Sequence, residues 1–374
     1  MRRVVFVQRS LPHYRIPFLQ LLRQRLQEAD VAFEFVYARP TGLNGAKKDE
    51  VDLPWGHCVP IRSVKIGGMQ AYWQAVNGHV NNQDLIIATQ ANKDLINYTF
   101  MLRRKLKGQK FAYWGHGRNL KTAEGDIRNR FKNFFLRQCD WWFAYTEGVK
   151  RYVASQHFPE ARITAVQNAV DTRQMQADYA AVSPHSLEEL RQQHGIASKQ
   201  VGIFCSGIYA EKKIPFLLEA CHKIKQALPE FQLLVVGAGP EAHLFESAAA
   251  RHEWIHYLGP RFGPEKAALF KLASAYLMPG LVGLGILDAF AFETPIITTR
   301  YPYHSPEIEY LAHGENGMMC EQHIEEYASC VVQVLSNTAL RSRLIAGCRR
   351  AAATYTIENM ASNFAKGVLQ CLEL

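Results

Sequence analysis

Residues 275–299 read A-Y-L-M-P-G-L-V-G-L-G-I-L-D-A-F-A-F-E-T-P-I-I-T-T, and they limit the possible folds more than any other segment. A short apolar run, Ala275 to Met278, enters a turn made of Pro279, Gly280, Gly283 and Gly285. The pattern then predicts a helix opening near Ile286, with Asp288 in its first turn, and a second strand from Pro295. Strand, glycine turn, helix and strand in this order form a crossover of a parallel α/β sheet. Such a turn presents unpaired backbone N–H groups at the positive end of the helix dipole, which suits a phosphate. An acid just inside the helix can accept hydrogen bonds from ribose hydroxyls. The same acid also suits a plain crossover, in which it only complements the dipole.

The rest of the chain repeats the alternation. Strands are predicted at Val4–Val7, Ala32–Tyr37, Leu85–Ala88, Lys110–Trp114, Trp142–Tyr145 and Ile163–Val166. A second set follows at Val201–Cys205, Gln232–Val236, Ile255–Tyr257, Ala275–Met278 and Pro295–Thr298. Helices are predicted between them, among them Pro17–Ala29, Pro215–Leu228 and Pro264–Ser274, each with proline in its first turn. Thr172–Lys199 is polar and carries no strand signal, so it begins the passage between two halves. The expectation is two Rossmann-like domains, residues 1–172 and 173–355, facing across a cleft. A last helix, 356–374, packs back on the first domain.

At 374 residues, 48% hydrophobic and 21% charged, the chain is globular and long enough for two domains. No apolar run reaches the roughly 20 residues of a membrane span. The N-terminus reads as a first strand rather than a signal peptide. Eight cysteines without paired spacing argue against a zinc site and fit a reducing cytoplasm. Charge is uneven. Residues 1–171 hold 26 Lys and Arg against 14 Asp and Glu, and the remainder holds 17 against 20. A basic first half favours an anionic membrane surface or a polyanion. The basic residues are scattered and no nucleic-acid motif is present, so nucleic acid is not the expected partner. Residues Asp126–Trp142 interleave Phe131, Phe134, Phe135, Trp141 and Trp142 with Arg128, Arg130, Lys132 and Arg137. That pattern fits a basic amphipathic helix on a bilayer, and equally a helix packed on a sheet.

Several segments resemble family-4, or group 1, retaining glycosyltransferases of the GT-B fold, in family order. Gly283, Leu284, Asp288, Ala289, Ala291, Thr294 and Pro295 match E-G-x-G-L-P-x-x-E-A-x-A-x-G-T-P, with Asp288 at the second Glu and Gly280 at the first. Gly207-Ile208-Tyr209-Ala210-Glu211-Lys212-Lys213 resembles G-R-L-x-P-E-K, with Lys213 at the Lys and Ile208 at the Arg. Val166–Asp171 resembles I-P-N-G-V-D. Leu234–Pro240, with Gly237, Gly239 and Pro240, resembles V-V-G-x-G-P. His313–Gly317 resembles the H-G-x-N-G turn. The missing Arg and first Glu mark a divergent member. In the family that Glu contacts donor sugar hydroxyls.

The resemblance implies roles for particular residues. Donor contacts fall on Gly207, Lys212, Gly237, Gly239, Pro240, Gly283 to Asp288 (Leu284, Gly285, Ile286 and Leu287 between them) and Glu307. Lys213 is the expected cation for the departing diphosphate, with Lys212 or a residue of the first domain compensating for the missing Arg; such charge-assisted bonds contribute roughly 1.5–3 kcal/mol each. His116 follows a strand between two glycines, where it can steady developing charge. Acceptor contacts fall on His13, Tyr14, Arg15, Arg118 and Asn119, whose basic groups suit an anionic acceptor.

The sequence therefore implies a metal-independent retaining glycosyltransferase without a resident cofactor. Its donor is a nucleotide-diphospho-sugar and its acceptor a glycan or lipid-linked molecule, as in bacterial surface polysaccharide or lipopolysaccharide assembly. The expected place is the cytoplasm, including the inner face of the cell membrane. Two alternatives are a nucleotide-sugar epimerase on the same fold and a non-catalytic nucleotide-sugar binder.

Overall fold

The structure is a computed structural model that describes residues 2–39, 51–66, 69–117 and 134–374. The chain divides into two compact units, Met1–Val170 with Ile357–Leu374, and Asp171–Thr356.

The first unit is built on a parallel sheet ordered β3-β2-β1-β6-β7-β8-β9. Its strands are β1 (Arg2–Val7), β2 (Val31–Tyr37), β3 (His57–Cys58), β6 (Leu85–Thr89), β7 (Phe111–Gly115), β8 (Trp141–Ala144) and β9 (Ile163–Ala165). Central strands covered on both faces must be apolar on both, and Val4, Val5 and Phe6 are all fully buried. A hairpin of β4 (Ile61–Ile66) and β5 (Met69–Gln74) stands apart, antiparallel. The terminal helix Ile357–Glu373 closes the unit through Phe364, whose ring stacks on Phe143 at 4.1 Å and on Phe6 at 5.7 Å. Gly367 lets that helix approach, since a Cβ there would stand 2.8 Å from the Phe143 ring.

The second unit holds a parallel sheet ordered β12-β11-β10-β13-β14-β15. The strands are β10 (Val201–Cys205), β11 (Gln232–Val236), β12 (Ile255–Gly259), β13 (Ala275–Leu277), β14 (Ile296–Thr299) and β15 (Gly317–Cys320). Helices Ile214–Ala227 and Gly263–Leu272 begin with proline in the first turn, as their sequences predict. The polar passage 172–199 folds into two helices, Arg173–Ala181 and Pro184–His194, the second capped by the Ser183 side chain. β3, the hairpin and β15 are elements the sequence pattern does not announce. In each sheet the strand order reverses beside the first strand of the unit, and the crevice beyond the strand ends at such a point is where open α/β sheets take ligands.

The helix expected to open near Ile286 runs Gly285–Ala291 with Asp288 in its first turn, and Glu293, at a positive φ of 50°, follows its end. One expectation changes. Trp141 and Trp142 do not end an amphipathic helix. They lie in β8, 3% and 0% exposed, with Trp142 Nε1 donating to Leu136 O at 2.9 Å.

Candidate functional site

In the second unit a cavity of about 430 Å³ opens beyond the C-terminal ends of β10, β11 and β12. Gly207, Gly237, Phe262, Lys266, Gly285 and Asp288 are among its lining residues. Its floor depends on two glycines in conformations L side chains avoid, Gly237 at φ 140° and Gly239 at φ 159°. A Cβ on either would collide with a carbonyl oxygen, of Ser206 and Ile208 respectively. The two turns are thereby stitched together: Ile208 N–H donates to Ala238 O at 2.9 Å and Glu241 N–H to Ile208 O at 3.2 Å. Ile208 is fully buried, so its side chain belongs to the core and supplies nothing to the cavity.

Asp288 faces this cavity and accepts from Lys266 Nζ at 2.9 Å, with the two side chains 14% and 18% exposed. Burial disfavours the Lys266 ammonium, but Asp288 outweighs it and raises the lysine above its ordinary pKa. The carboxylate is thus fixed beside a cation, with its remaining lone pairs available as acceptors for hydroxyls. Phe262 stands at the same cavity and is 78% exposed. A flat aromatic surface of this kind can receive a base.

The segment between β13 and the helix Gly285–Ala291 is clamped from both sides. Leu281 N–H donates to Glu211 O at 2.8 Å, and Thr299 Oγ1 donates to Pro279 O at 2.7 Å. His304 is 7% exposed. Its Nδ1 accepts from Val282 N–H at 3.0 Å and its Nε2–H donates to Thr299 O at 2.8 Å, a pattern only the neutral ring supports. Burial lowers its pKa accordingly. Leu284 is half-buried at the turn, whereas Ile286 and Leu287 point into the core at 0% and 1% exposure, and their N–H groups donate to Gly283 O at 3.2 Å and Leu284 O at 3.0 Å. Gly283 packs near Ser305, and Pro240 is exposed beyond β11. Glu307 is 2% exposed, on the turn of helix Pro306–Tyr310.

The adjacent lysines 212 and 213 separate. Lys212 turns inward, 5% exposed, with Nζ donating to Leu281 O at 2.6 Å. Burial pushes its pKa down to about 8. This corrects the expectation that it replaces the missing Arg as a phosphate cation, because its ammonium is spent on the loop. Lys213 adopts the left-handed region, φ 59° and ψ 47°, uncommon for a residue with a side chain. It caps the helix Ile214–Ala227, half-buried, with Nζ 5.5 Å from the centre of the Tyr301 ring.

In the first unit a smaller cavity, about 230 Å³, lies beyond the ends of β1, β6 and β7. Tyr14 and Arg15 line it, together with Arg9, Asp94, Trp114 and Tyr145. Arg9 pairs with Asp94 at 2.6 Å and lies over Tyr72. Burial raises the Asp94 pKa against the opposing pull of Arg9. His13 is exposed, its ring edge-on to Tyr14 at 6.0 Å. His116 follows β7, half-buried, its ring 4.3 Å from that of Tyr145. Gly117, at φ 70°, turns the chain after it. Arg118, Asn119 and the first part of the basic aromatic segment, through residue 133, lie outside the described residues.

Sequence reasoning passed over Lys266, Phe262, His304 and the Arg9–Asp94 pair. Phe262 had a usable signal, since it follows the end of a strand. Lys266 and His304 had none, for their partners are 22 residues away in sequence. Among the described residues no group of three or more His, Cys, Asp or Glu clusters as metal ligands, and no helix is long and apolar enough to cross a membrane.

The model of the glycosyl transferases group 1 matches residues 199–337, inside the second unit. A phosphatidyl-myo-inositol mannosyltransferase of Mycobacterium leprae is 27% identical over 193 residues, 48% of this chain and 50% of the relative. An uncharacterized glycosyltransferase of Haemophilus influenzae is 25% identical over 268 residues, 70% and 69% of the two chains. The chain thus spans about half the length of the first of these relatives. Among solved structures, Anabaena HepE in complex with UDP and glucose superposes with a TM-score of 0.67 at 14% identity, over 99% of this chain and 100% of that one. WaaG, a glycosyltransferase involved in lipopolysaccharide biosynthesis, gives 0.62 at 16% identity, over 97% and 98%. With the glycine turns, the strand order and Asp288 in place, residues 199–337 match the group 1 glycosyltransferases as a divergent relative would, and the chain carries the GT-B fold of these solved structures.

Proposed function

We propose that the protein moves a sugar from a nucleotide-diphospho-sugar to a glycan or lipid-linked acceptor, with retention and without a metal. The observation that carries this is the second-unit cavity, where Asp288 is held beside Lys266 among glycine turns. In this reading Asp288 accepts from the ribose, Phe262 receives the base, and Lys213 meets the diphosphate as charge grows on it. Gly283 and Gly285 contribute N–H groups, since those of Ile286 and Leu287 already donate to Gly283 O and Leu284 O. The acceptor hydroxyl attacks on the face the leaving group departs from, and the donor phosphate takes its proton. His116 donates to the reacting sugar. The first unit, with His13, Tyr14, Arg15, Arg118 and Asn119, receives the acceptor, and Glu307 braces the donor loop. The basic first half supports work at the inner face of a bacterial membrane in surface polysaccharide assembly, a setting that the lipopolysaccharide enzyme WaaG shares in name.

The test is a panel of UDP-, GDP- and ADP-sugars with EDTA present, read first by thermal shift. A ligand at 100 times its Kd stabilises the fold by about 2.7 kcal/mol. Turnover with acceptor extracts and NMR of the product's anomeric centre follow. Retention of configuration with EDTA present supports the proposal; inversion, or a strict metal requirement, overturns it. A second reading, a binder without turnover, is favoured by the buried Ile208 and by Gly280, which remove two family side chains. It predicts nucleotide-sugar binding with no transfer to any acceptor.

A further inference from the structure

We infer that the first-unit cavity is an oxyanion subsite centred on Arg15, and that its ligand carries a phosphate-type group. This rests on the proposed transfer reaction only for the origin of that group, not for its binding. Arg15 is 5% exposed and lines the cavity. Its Nη1 donates to Asn168 Oδ1 at 2.8 Å and, more distantly, to Ala169 O at 3.5 Å. The guanidinium lies between two rings, 4.8 Å from the centre of Trp114 and 5.1 Å from that of Tyr14.

Among the described residues every partner of this buried cation is neutral. Among the described residues no carboxylate reaches it, and the one acid lining the cavity, Asp94, is already engaged by Arg9 at 2.6 Å. The cavity lining therefore holds two guanidinium groups and one carboxylate. A buried charge without a counter-ion is costly, and proteins normally pair it or give it a ligand. A second donor, Trp114 Nε1, is buried beside the same guanidinium and has no hydrogen-bond partner among the described residues. The ring contacts and the Asn168 bond hold the guanidinium, and among the described residues its other N–H groups are left for a planar or tetrahedral oxyanion. Ser10 and Thr89 add hydroxyls to the lining. The position fits, for the cavity lies where β1 and β6 diverge from the reversal point of the sheet.

A phosphate of the donor's diphosphate and a phosphate on the acceptor share this chemistry, and the experiment separates them. The full-length protein is titrated calorimetrically with inorganic pyrophosphate, with glycerol phosphate and with UDP, as wild type, Arg15→Lys and Asn168→Asp. Lysine keeps the charge but loses the fork. Aspartate at 168 puts an internal counter-ion against Nη1. Both variants should weaken the oxyanion at least tenfold. Parallel weakening of UDP assigns the site to the donor; weakening of glycerol phosphate with UDP unchanged assigns it to the acceptor. Unchanged affinity for all three probes in the folded variants overturns the proposal. Should the variants not fold, wild-type crystals soaked in tungstate decide. Anomalous density beside Arg15 supports the site, and density elsewhere alone, or none, removes it. No turnover is needed, so failure here stands apart from failure of the transfer reaction.

Discussion

Gly280 lies in backbone contact with Lys212: a Cβ added at Gly280 would stand 2.7 Å from Lys212 Cα. The Lys212 side chain then folds back so that its ammonium meets the carbonyl of Leu281, the next residue along. The family's first Glu therefore has no room in this chain, since the crossing backbone occupies the place its side chain would start from.

Gly280→Ala should destabilise the protein by roughly 1–3 kcal/mol, the usual cost of overpacking. Gly280→Glu should cost more and restore no family-like activity. Denaturant melts with unchanged slope are the measurement. An alanine variant as stable as wild type would show that the loop yields freely.

Lys212 gives stability a pH signature. Its folded pKa of about 8 lies below the unfolded lysine value of 10.5. Below pH 8 both states carry the proton and the cost of burying the ammonium is felt in full. Between the two values the folded state releases the proton while the unfolded state keeps it, so this contribution rises with pH. The span corresponds to something on the order of 3 kcal/mol. Wild type should therefore gain on Lys212→Met as pH climbs from about 7.5 to about 9.5. A constant difference between the two proteins would mean that the amine stays charged throughout.

The Lys266–Asp288 pair should show coupling. Both side chains are less than a fifth exposed, so removing one partner strands the other's charge. We expect a coupling of about 1–3 kcal/mol in a double-mutant cycle of Lys266→Met and Asp288→Asn, read by thermal melts. If the proposed roles hold, Asp288→Asn should also weaken the nucleoside monophosphate and diphosphate alike, because the carboxylate becomes half donor. Lys213→Ala should then weaken the diphosphate far more than the nucleoside. Independent, additive melts together with wild-type affinities would dismiss both roles.

His304 should make the loop before the helix Gly285–Ala291 acid-sensitive. Its neutral ring accepts from Val282 and donates to Thr299, and burial lowers its pKa from 6.5. As pH falls below about 6.5 the unfolded state takes up a proton that the folded ring refuses. Stability from this residue is thus present above that value and lost below it. His304→Asn should flatten that limb of the pH curve and cost about 1–3 kcal/mol at neutral pH for the group left unpaired. Equal acid dependence in both proteins would count against it.

Much of this fold was written in local patterns. Continuous apolar runs such as Val4–Val7 and Leu233–Val236 mark strands buried on both faces, and their spacing with proline-headed helices fixes a parallel α/β architecture. The glycine turns were legible because Gly237 and Gly239 hold backbone angles that few other residues tolerate. Asp288 was legible because its offset from the turn is local. What the sequence could not rank was two neighbours of the same type. Lys212 and Lys213 read alike, yet one is buried and the other caps a helix, because the chain takes a left-handed step at 213. Arg9 and Arg15 read alike too, yet one finds Asp94 and the other only Asn168 and two rings. Composition and periodicity determine which segments become strands and helices. Which cation acquires a counter-ion depends on contacts between residues 85 and 153 positions apart, and only the closed sheet brings those together.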